Sequence, residues 1–175
     1  MCSKQQTITT NHSEMLYPKK IKLSEMELKV GCITGYERHI ESVVNNRMPR
    51  FPEKYIGELL LNHQLAACAE LAFCKMSGIY FAHTKNTFHI ADVLDNIEVR
   101  YSNLPEVKVR RDDNNMIVVS MSGNLDCFTC NGWIKSEDAK KQEYEKDYGN
   151  RGRPAYFVPL TNIRKDSMKQ ALLIK

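Results

Sequence analysis

The stretch FHIADVLDNIEVRY, residues 88–101, decides the fold that we expect for this chain. Its second half, around residues 97–99, has the apolar character of a buried strand. That strand carries a carboxylate, Glu98, which is preceded six residues earlier by Asp92 and followed two residues later by Arg100. Because a buried charge is costly unless it is paired or binds a metal, these three side chains need partners.

A turn signal at residues 94–95 separates two expected strands, TFHIADV and NIEVRY. Strand alternation places Glu98 and Arg100 on one face, and Asp92 can reach the same end of the sheet across the turn. Converging carboxylates form an oxygen-rich site suited to magnesium or manganese. Asp95 is a rival ligand, although Asp-Asn is ordinary turn chemistry.

Two alternatives to this metal site stay open. Glu98 and Arg100 could form an ion pair on an exposed face, which would contribute little to stability. One continuous strand through the turn would hold Asp92 and Glu98 about 20 Å apart, too far to share a metal.

The segment before this strand region predicts a central helix that is buried on more than one face. It runs through EKYIGELLLNHQLAACAELAFCKMSG and ends near Gly78, with a break conceivable at residues 62–63. Glu70 is the one charged residue in its stretch LAACAELAFC. There it would lose hydration, take up a proton or bind a cation; the alternative is that it reaches solvent at the edge of the apolar stripe.

The remaining segments predict one domain. Residues 1–22 are polar and non-periodic, which indicates a flexible or loosely docked arm, and 23–175 form the domain. An amphipathic helix capped by Ser24 follows the arm, with interruptions conceivable at Gly31 or Gly35. VKVR and MIVVSM flank RDDNN, which predicts a hairpin. The other expected elements are the strands DCFTCNGWI and PAYFVP and short helices at SEDAKKQEYEKDYG and DSMKQALLIK. This order favours an α/β (α+β) fold with a mixed sheet.

Composition limits the classes of function. The chain has 175 residues, 42% of them apolar, and a formal net charge of +4, which permits contact with a polyanion without demanding it. It has no apolar run of membrane-spanning length and no signal-peptide pattern at its start, so we expect a cytoplasmic protein that does not contact membranes. Its six cysteines predict no disulfide framework, and zinc held by Cys68, Cys74, Cys127 and Cys130 is a minor alternative to ordinary buried cysteines.

The helix glutamate, the aspartate and the acid-x-base strand resemble the restriction-endonuclease-like superfamily, the PD-(D/E)XK nucleases. AELAFCK, ADVLDNIEVR, KVRRDD, GWIKSEDAK and GRPAYFVP together resemble phage-borne proteins with that core, over roughly residues 53–165. The resemblance implies a restriction-endonuclease-like core, a central mixed β-sheet flanked by helices. It also implies magnesium-dependent (or manganese-dependent) phosphodiester hydrolysis in DNA, in the cytoplasm of a host cell.

Roles follow from the resemblance residue by residue. Asp92 would be the central metal ligand, Glu98 the second, and Glu70 a ligand directly or through water. Arg100 stands at the family's lysine position; it can hold a phosphate but cannot act as a general base, because it stays protonated. Ala91 replaces the family's proline. A homodimer that cuts two strands is a further expectation. The alternative is a nuclease fold without catalysis that binds DNA or counters a host defence protein.

Basic residues could form a surface that contacts phosphates. The alternative is a solvated charged face, since acids are interspersed among them. The residues are Arg110, Arg111, Lys135, Lys140 and Lys141.

Overall fold

The computed structural model describes residues 17–45, 56–83, 91–124, 126–148 and 152–167. The elements in chain order are β1 (Lys19–Lys22), α1 (Glu25–Val44), α2 (Ile56–Ser77), β2 (Ile97–Tyr101), β3 (Glu106–Val109), β4 (Ile117–Asn124), β5 (Cys127–Lys135), α3 (Ser136–Ala139), a 3-10 turn (Gln142–Tyr144), β6 (Glu145–Lys146) and β7 (Ala155–Pro159). Helix α2 covers one face of a four-stranded sheet, α1 packs on the outer side of α2, and a three-stranded sheet packs on the other face of the larger sheet.

Helix α1 begins where the sequence predicts. The Ser24 hydroxyl accepts the N–H of Glu27, and the Glu27 carboxylate accepts the N–H of Ser24, which completes a capping box. The helix continues without interruption through Gly31 and Gly35. At both glycines α2 approaches so closely that a Cβ atom would collide with it.

Helix α2 is the central helix that the sequence predicts, and it does not break at residues 62–63. It lies between α1 and the four-stranded sheet. Small side chains permit contact on both sides, since Ala67, Ala69 and Ala72 are fully buried. Gly78 ends the helix in the left-handed region, at φ +68°, which glycine adopts without a Cβ penalty.

The larger sheet is mixed, as predicted. Its strand order is β1-β5-β4-β2, with β2 parallel to β4 and the other pairs antiparallel. Alternation along β4 serves two cores: Ile117 and Val119 face the helices, and Val118 faces the smaller sheet, β3-β7-β6. The predicted mixed α/β (α+β) class is therefore confirmed.

The predicted hairpin between VKVR and MIVVSM is wrong. Strand β3 pairs with β7 in the smaller sheet, whereas β4 pairs with β2 in the larger one. The Asp113 carboxylate accepts a hydrogen bond from the backbone N–H of Arg110 and forms an ion pair with Arg100. The RDDNN segment thereby carries the chain from one sheet to the other, and does not turn it back on itself.

Three other predicted segments differ in extent from the elements that the structure shows. Lys19–Lys22 pair with β5 as an edge strand and Ile21 is buried, so the predicted arm is wrong for these residues, and 1–16 lie outside the described residues. The SEDAKKQEYEKDYG helix stops at Ala139, and Glu145–Lys146 pair with β7. Of TFHIADV, the described residues 91–93 form only a bridge from Val93 to Ile97.

Two further predictions concern the C-terminal helix and contact with membranes. Most of the predicted terminal helix, at 168–175, lies outside the described residues. None of the helices in the described ranges has the length and apolar character that a bilayer span requires.

Candidate functional site

Three carboxylates from different parts of the chain act on one another electrostatically. Glu70 lies in the middle of α2, Asp92 in the loop before β2, and Glu98 within β2. The loop turns tightly, because Val93 and Ile97 exchange two backbone hydrogen bonds of 3.0 and 3.2 Å, and Leu94 adopts φ +54°. The predicted turn is therefore confirmed, and the continuous strand is excluded.

The turn brings Asp92 back alongside the strand that it precedes. Its Oδ2 accepts the N–H of Val99 at 3.0 Å, which fixes the carboxylate beside Glu98. Among the described residues no hydrogen bond to its Oδ1 is found. One oxygen of Asp92 therefore positions the side chain, and the other is available to a ligand.

Burial raises the pKa values of all three acids. Burial raises the pKa of Glu70 to about 7, against the opposing effect of Arg38, and the charges of Asp92 and Glu98 raise it further. Burial likewise raises the pKa of Glu98 to about 7, with Arg100 opposing and Asp92 reinforcing the shift. Burial raises the pKa of Asp92, which the Val99 N–H opposes. Since Asp92 and Glu98 both raise the pKa of Glu70, and Asp92 also raises that of Glu98, we call the three the carboxylate cluster.

Arginines supply the positive charge beside this carboxylate cluster. Arg38 of α1 binds Glu70 through two hydrogen bonds, of 2.6 and 2.8 Å. Arg100 forms an ion pair with Glu98 and a second one, with both N–O distances 3.0 Å, to Asp113. The Glu98–Arg100 pair was one of the alternatives from the sequence. It forms as a largely buried pair, not as the exposed pair of that alternative, because only 12% and 15% of the two side chains are exposed.

Two of these residues could not be found from the sequence. Arg38 lies 32 residues before Glu70, in a helix that looked ordinarily amphipathic. Asp113 lies in RDDNN, where an acid is typical of a turn. Its burial, at 7% exposed, is what distinguishes it from a turn acid.

The donor atoms fit magnesium or manganese, which prefer carboxylate oxygens. Asp92 and Glu98 are the residues best able to hold such an ion. Both oxygens of Glu70 bind Arg38, so Glu70 would act through water or after release from that arginine. Within the described ranges no three acidic, histidine or cysteine side chains stand close enough together to form a ready-made metal site.

The five basic residues predicted to contact nucleic acid have different surroundings. Arg110 is exposed, and its charge lowers the pKa values of Asp92 and Glu98, so it lies beside the carboxylate cluster. Of the others, Arg111 pairs with Glu145, Lys140 binds Asn114, Lys141 lies over the ring of Tyr144, and Lys135 is the last residue of β5.

The cysteines form no zinc site among the residues that the structure describes. Cys68 and Cys74 are buried in α2, Cys130 is buried, and Cys127 of the same strand is exposed. The last two point to opposite faces, as strand alternation predicts.

Comparison of the chain with protein-family models, curated proteins and solved structures finds no match. The likeness to PD-(D/E)XK nucleases therefore stays a prediction that rests on the residues alone.

Proposed function

We propose that the chain is a divalent-metal-dependent nuclease of the restriction-endonuclease-like (PD-(D/E)XK) type, which hydrolyses phosphodiester bonds in DNA. The observation that carries this proposal is the carboxylate cluster itself. Three acids from separate parts of the chain are largely buried, and the charges of Asp92 and Glu98 raise the pKa of Glu70 although the Arg38 guanidinium opposes them. A cation between them would relieve that repulsion, and an oxygen-rich site of this kind is typical of magnesium.

Each side chain of the site has its own role in this proposal. Asp92 and Glu98 would hold Mg²⁺ (or Mn²⁺), and Glu70 would contribute through water. A bound cation supplies Lewis-acid chemistry, since it acidifies water and stabilises charge on phosphate oxygens. Arg100 stays protonated and stabilises the negative charge that develops on the phosphate, while Asp113 fixes the orientation of its guanidinium. Arg110, exposed beside the acids, contacts the DNA backbone.

A second candidate function is favoured by the same ion pairs. Arg38 already neutralises Glu70, and Arg100 joins Glu98 to Asp113, so the acids have protein partners. On this interpretation the chain keeps a nuclease fold without catalysis and acts on DNA or on a host protein. The two candidates differ in whether the carboxylate cluster binds a divalent cation. Phage origin and a place in the host cytoplasm belong to both proposals.

The expected homodimer has a suitable surface on α1. Apolar side chains recur on its outer side at spacings of three, four and seven residues, as in a helix-pairing seam. They are well exposed, from 41% for Ile40 to 72% for Val44. The apolar residues are Met26, Ile33, Tyr36, Ile40, Val43 and Val44.

The test is a cleavage assay on supercoiled, linear and single-stranded DNA with magnesium or manganese. We expect activity that requires the metal and that falls by about 100-fold or more in Glu98→Gln. Glu25→Gln, an exposed acid on α1, is the matched control and should cleave like the native chain. Absence of cleavage under every condition, from protein that is folded, would favour the second candidate.

A further inference from the structure

A small pocket is lined by Arg100 and Arg110, two arginines whose charges act on Asp92 and Glu98. Its volume is about 140 Å³, below the roughly 300–1,000 Å³ of sites that enclose whole small-molecule ligands. It lies between the end of β2, strand β3 and strand β7. Its lining residues are Arg100, Tyr101, Ser102, Leu104, Glu106, Lys108, Arg110 and Phe157.

The register of β3 explains why cations line this pocket. Val107 and Val109 are buried in the core between the sheets. Alternation therefore turns Lys108 and Arg110 to the opposite face, where Lys108 lies across from Phe157 of β7. The apolar residues fix the strand, and the strand then presents two cations on one side of the pocket.

The balance of charge in the pocket is positive. The acid among the lining residues, Glu106, accepts the Lys146 ammonium at 2.9 Å and the Tyr148 hydroxyl at 2.8 Å, so its charge is already compensated. Arg110 is exposed, and its guanidinium makes no hydrogen bond to any described residue. Lys108 adds a further positive charge. An anion in the pocket would therefore meet the guanidinium of Arg110, which no described residue holds by a hydrogen bond.

Arg100 contributes a donor that the protein leaves unused. Its terminal nitrogens bind Glu98 and Asp113, but its Nε is buried and has no hydrogen-bond partner among the described residues. A buried N–H without an acceptor is uncommon, because the lost hydration is not replaced. Arg100 lines the pocket, so an anion there could supply the missing acceptor.

We propose that this pocket binds a phosphoryl group through Arg100, Lys108 and Arg110. Guanidinium groups suit phosphate oxygens, since they donate two parallel hydrogen bonds, and lysine adds a point charge. The group is either the terminal phosphate of a nucleic acid or an internal phosphate next to the bond at the carboxylate cluster. The inference that this phosphoryl group belongs to a nucleic acid rests on the proposed function. The inference that the pocket binds a phosphoryl group does not.

The test measures binding to the full-length chain by calorimetry without divalent metal. The probes are inorganic phosphate, an oligonucleotide with a 5′-phosphate, and the same oligonucleotide without it. We expect Arg110→Gln and Lys108→Gln each to weaken binding of inorganic phosphate by about tenfold. Lys140 contacts Asn114 and does not line the pocket. The Lys140→Gln variant loses one positive charge there, so it should bind inorganic phosphate like the native chain.

The outcomes separate the sources and the two proposals. Tighter binding of the phosphorylated oligonucleotide assigns the pocket to a terminal phosphate, and equal binding of both assigns it to an internal one. No binding of inorganic phosphate, or an equal loss in Lys140→Gln, overturns the proposal. Since no metal is present, a chain that binds phosphate but cleaves nothing refutes only the nuclease. A chain that cleaves but does not bind phosphate refutes only the pocket.

Discussion

Arg38 of α1 and Glu70 of α2 form a buried bidentate ion pair. Nη1 of Arg38 lies 2.6 Å from Oε1 of Glu70, and Nη2 lies 2.8 Å from Oε2. The glutamate is only 4% exposed. The pair joins the two helices and places a positive charge next to the carboxylate cluster, so it links the stability of the fold to the chemistry of the site.

Removing the arginine should destabilise the protein strongly. We expect Arg38→Met to lower the free energy of unfolding by about 3–5 kcal/mol at pH 8, because Glu70 is left charged, buried and unpaired. The loss should be smaller at pH 5, where Glu70, its pKa already raised to about 7, is protonated in the folded state. Urea denaturation at the two pH values measures both effects.

Lys29→Met is the matched control, on the same helix. Lys29 pairs with Glu25 at 2.6 Å, but both side chains are exposed, so we expect a loss of at most about 0.5 kcal/mol. Equal losses in Arg38→Met and Lys29→Met would mean that the buried pair contributes nothing beyond a surface one.

The raised pKa values of Glu70 and Glu98 predict how cation binding depends on pH. Both groups have pKa values of about 7, so a cation must displace protons below that pH. The affinity for Mn²⁺ should rise from pH 6 to pH 8 by about tenfold for each proton released. Calorimetry in two buffers of different ionisation enthalpy counts those protons. An affinity that does not change with pH would show that the ion binds elsewhere.

The same shifts give the metal-free protein a definite pH profile. Because folding raises these two pKa values, the folded state binds more protons than the unfolded state between the ordinary glutamate pKa and about 7. Their stabilising contribution is complete below that interval and is lost as the pH rises through it. In Glu70→Gln this part of the profile should flatten, which urea denaturation from pH 5 to 8 can show.

Close approach of α1 and α2 can be tested at Gly35. A Cβ atom there would lie 2.5 Å from the Gln64 nitrogen and from the His63 carbonyl oxygen, so the helices must separate. We expect Gly35→Ala to lower the free energy of unfolding by about 1–3 kcal/mol. Gly57→Ala, also helical but with nothing within 4 Å, should stabilise by up to about 1 kcal/mol. A stabilising Gly35→Ala would refute this packing.

The sequence predicts those structural features that depend on residues close together in the chain. The Ser24 capping box, the length of α2 and the turn at residues 94–95 have local signals, and the structure confirms each of them. Strand alternation also places Glu98 beside Arg100.

The features that the sequence did not predict are contacts between residues far apart in the chain. A turn-rich RDDNN segment is typical of a hairpin, yet β3 finds its partner in β7, about 50 residues further along the chain. The Arg38–Glu70 pair likewise depends on how two helices meet, and no pattern within either helix specifies it.

The apolar face of α1 predicts an assembly that charge should disrupt. If two copies pair along it, the double substitution Ile33→Glu and Ile40→Glu should halve the mass measured by light scattering. Leu61→Glu is the control, since it adds charge at an equally exposed apolar residue of α2 and should leave the mass unchanged. A native chain that is already monomeric at high concentration would contradict the dimer.

The most direct test of the nuclease proposal is binding of Mg²⁺ and Mn²⁺ by calorimetry to the native chain and to Asp92→Asn, Glu98→Gln and Asp95→Asn. Asp95 is an exposed acid in the same turn and serves as the matched control. We predict that the native chain and Asp95→Asn bind the ion alike, and that the other two variants bind at least about tenfold more weakly. No binding by the native chain, or the same loss in all three variants, would contradict a metal site at Asp92 and Glu98 and leave the acids as structural partners of the arginines.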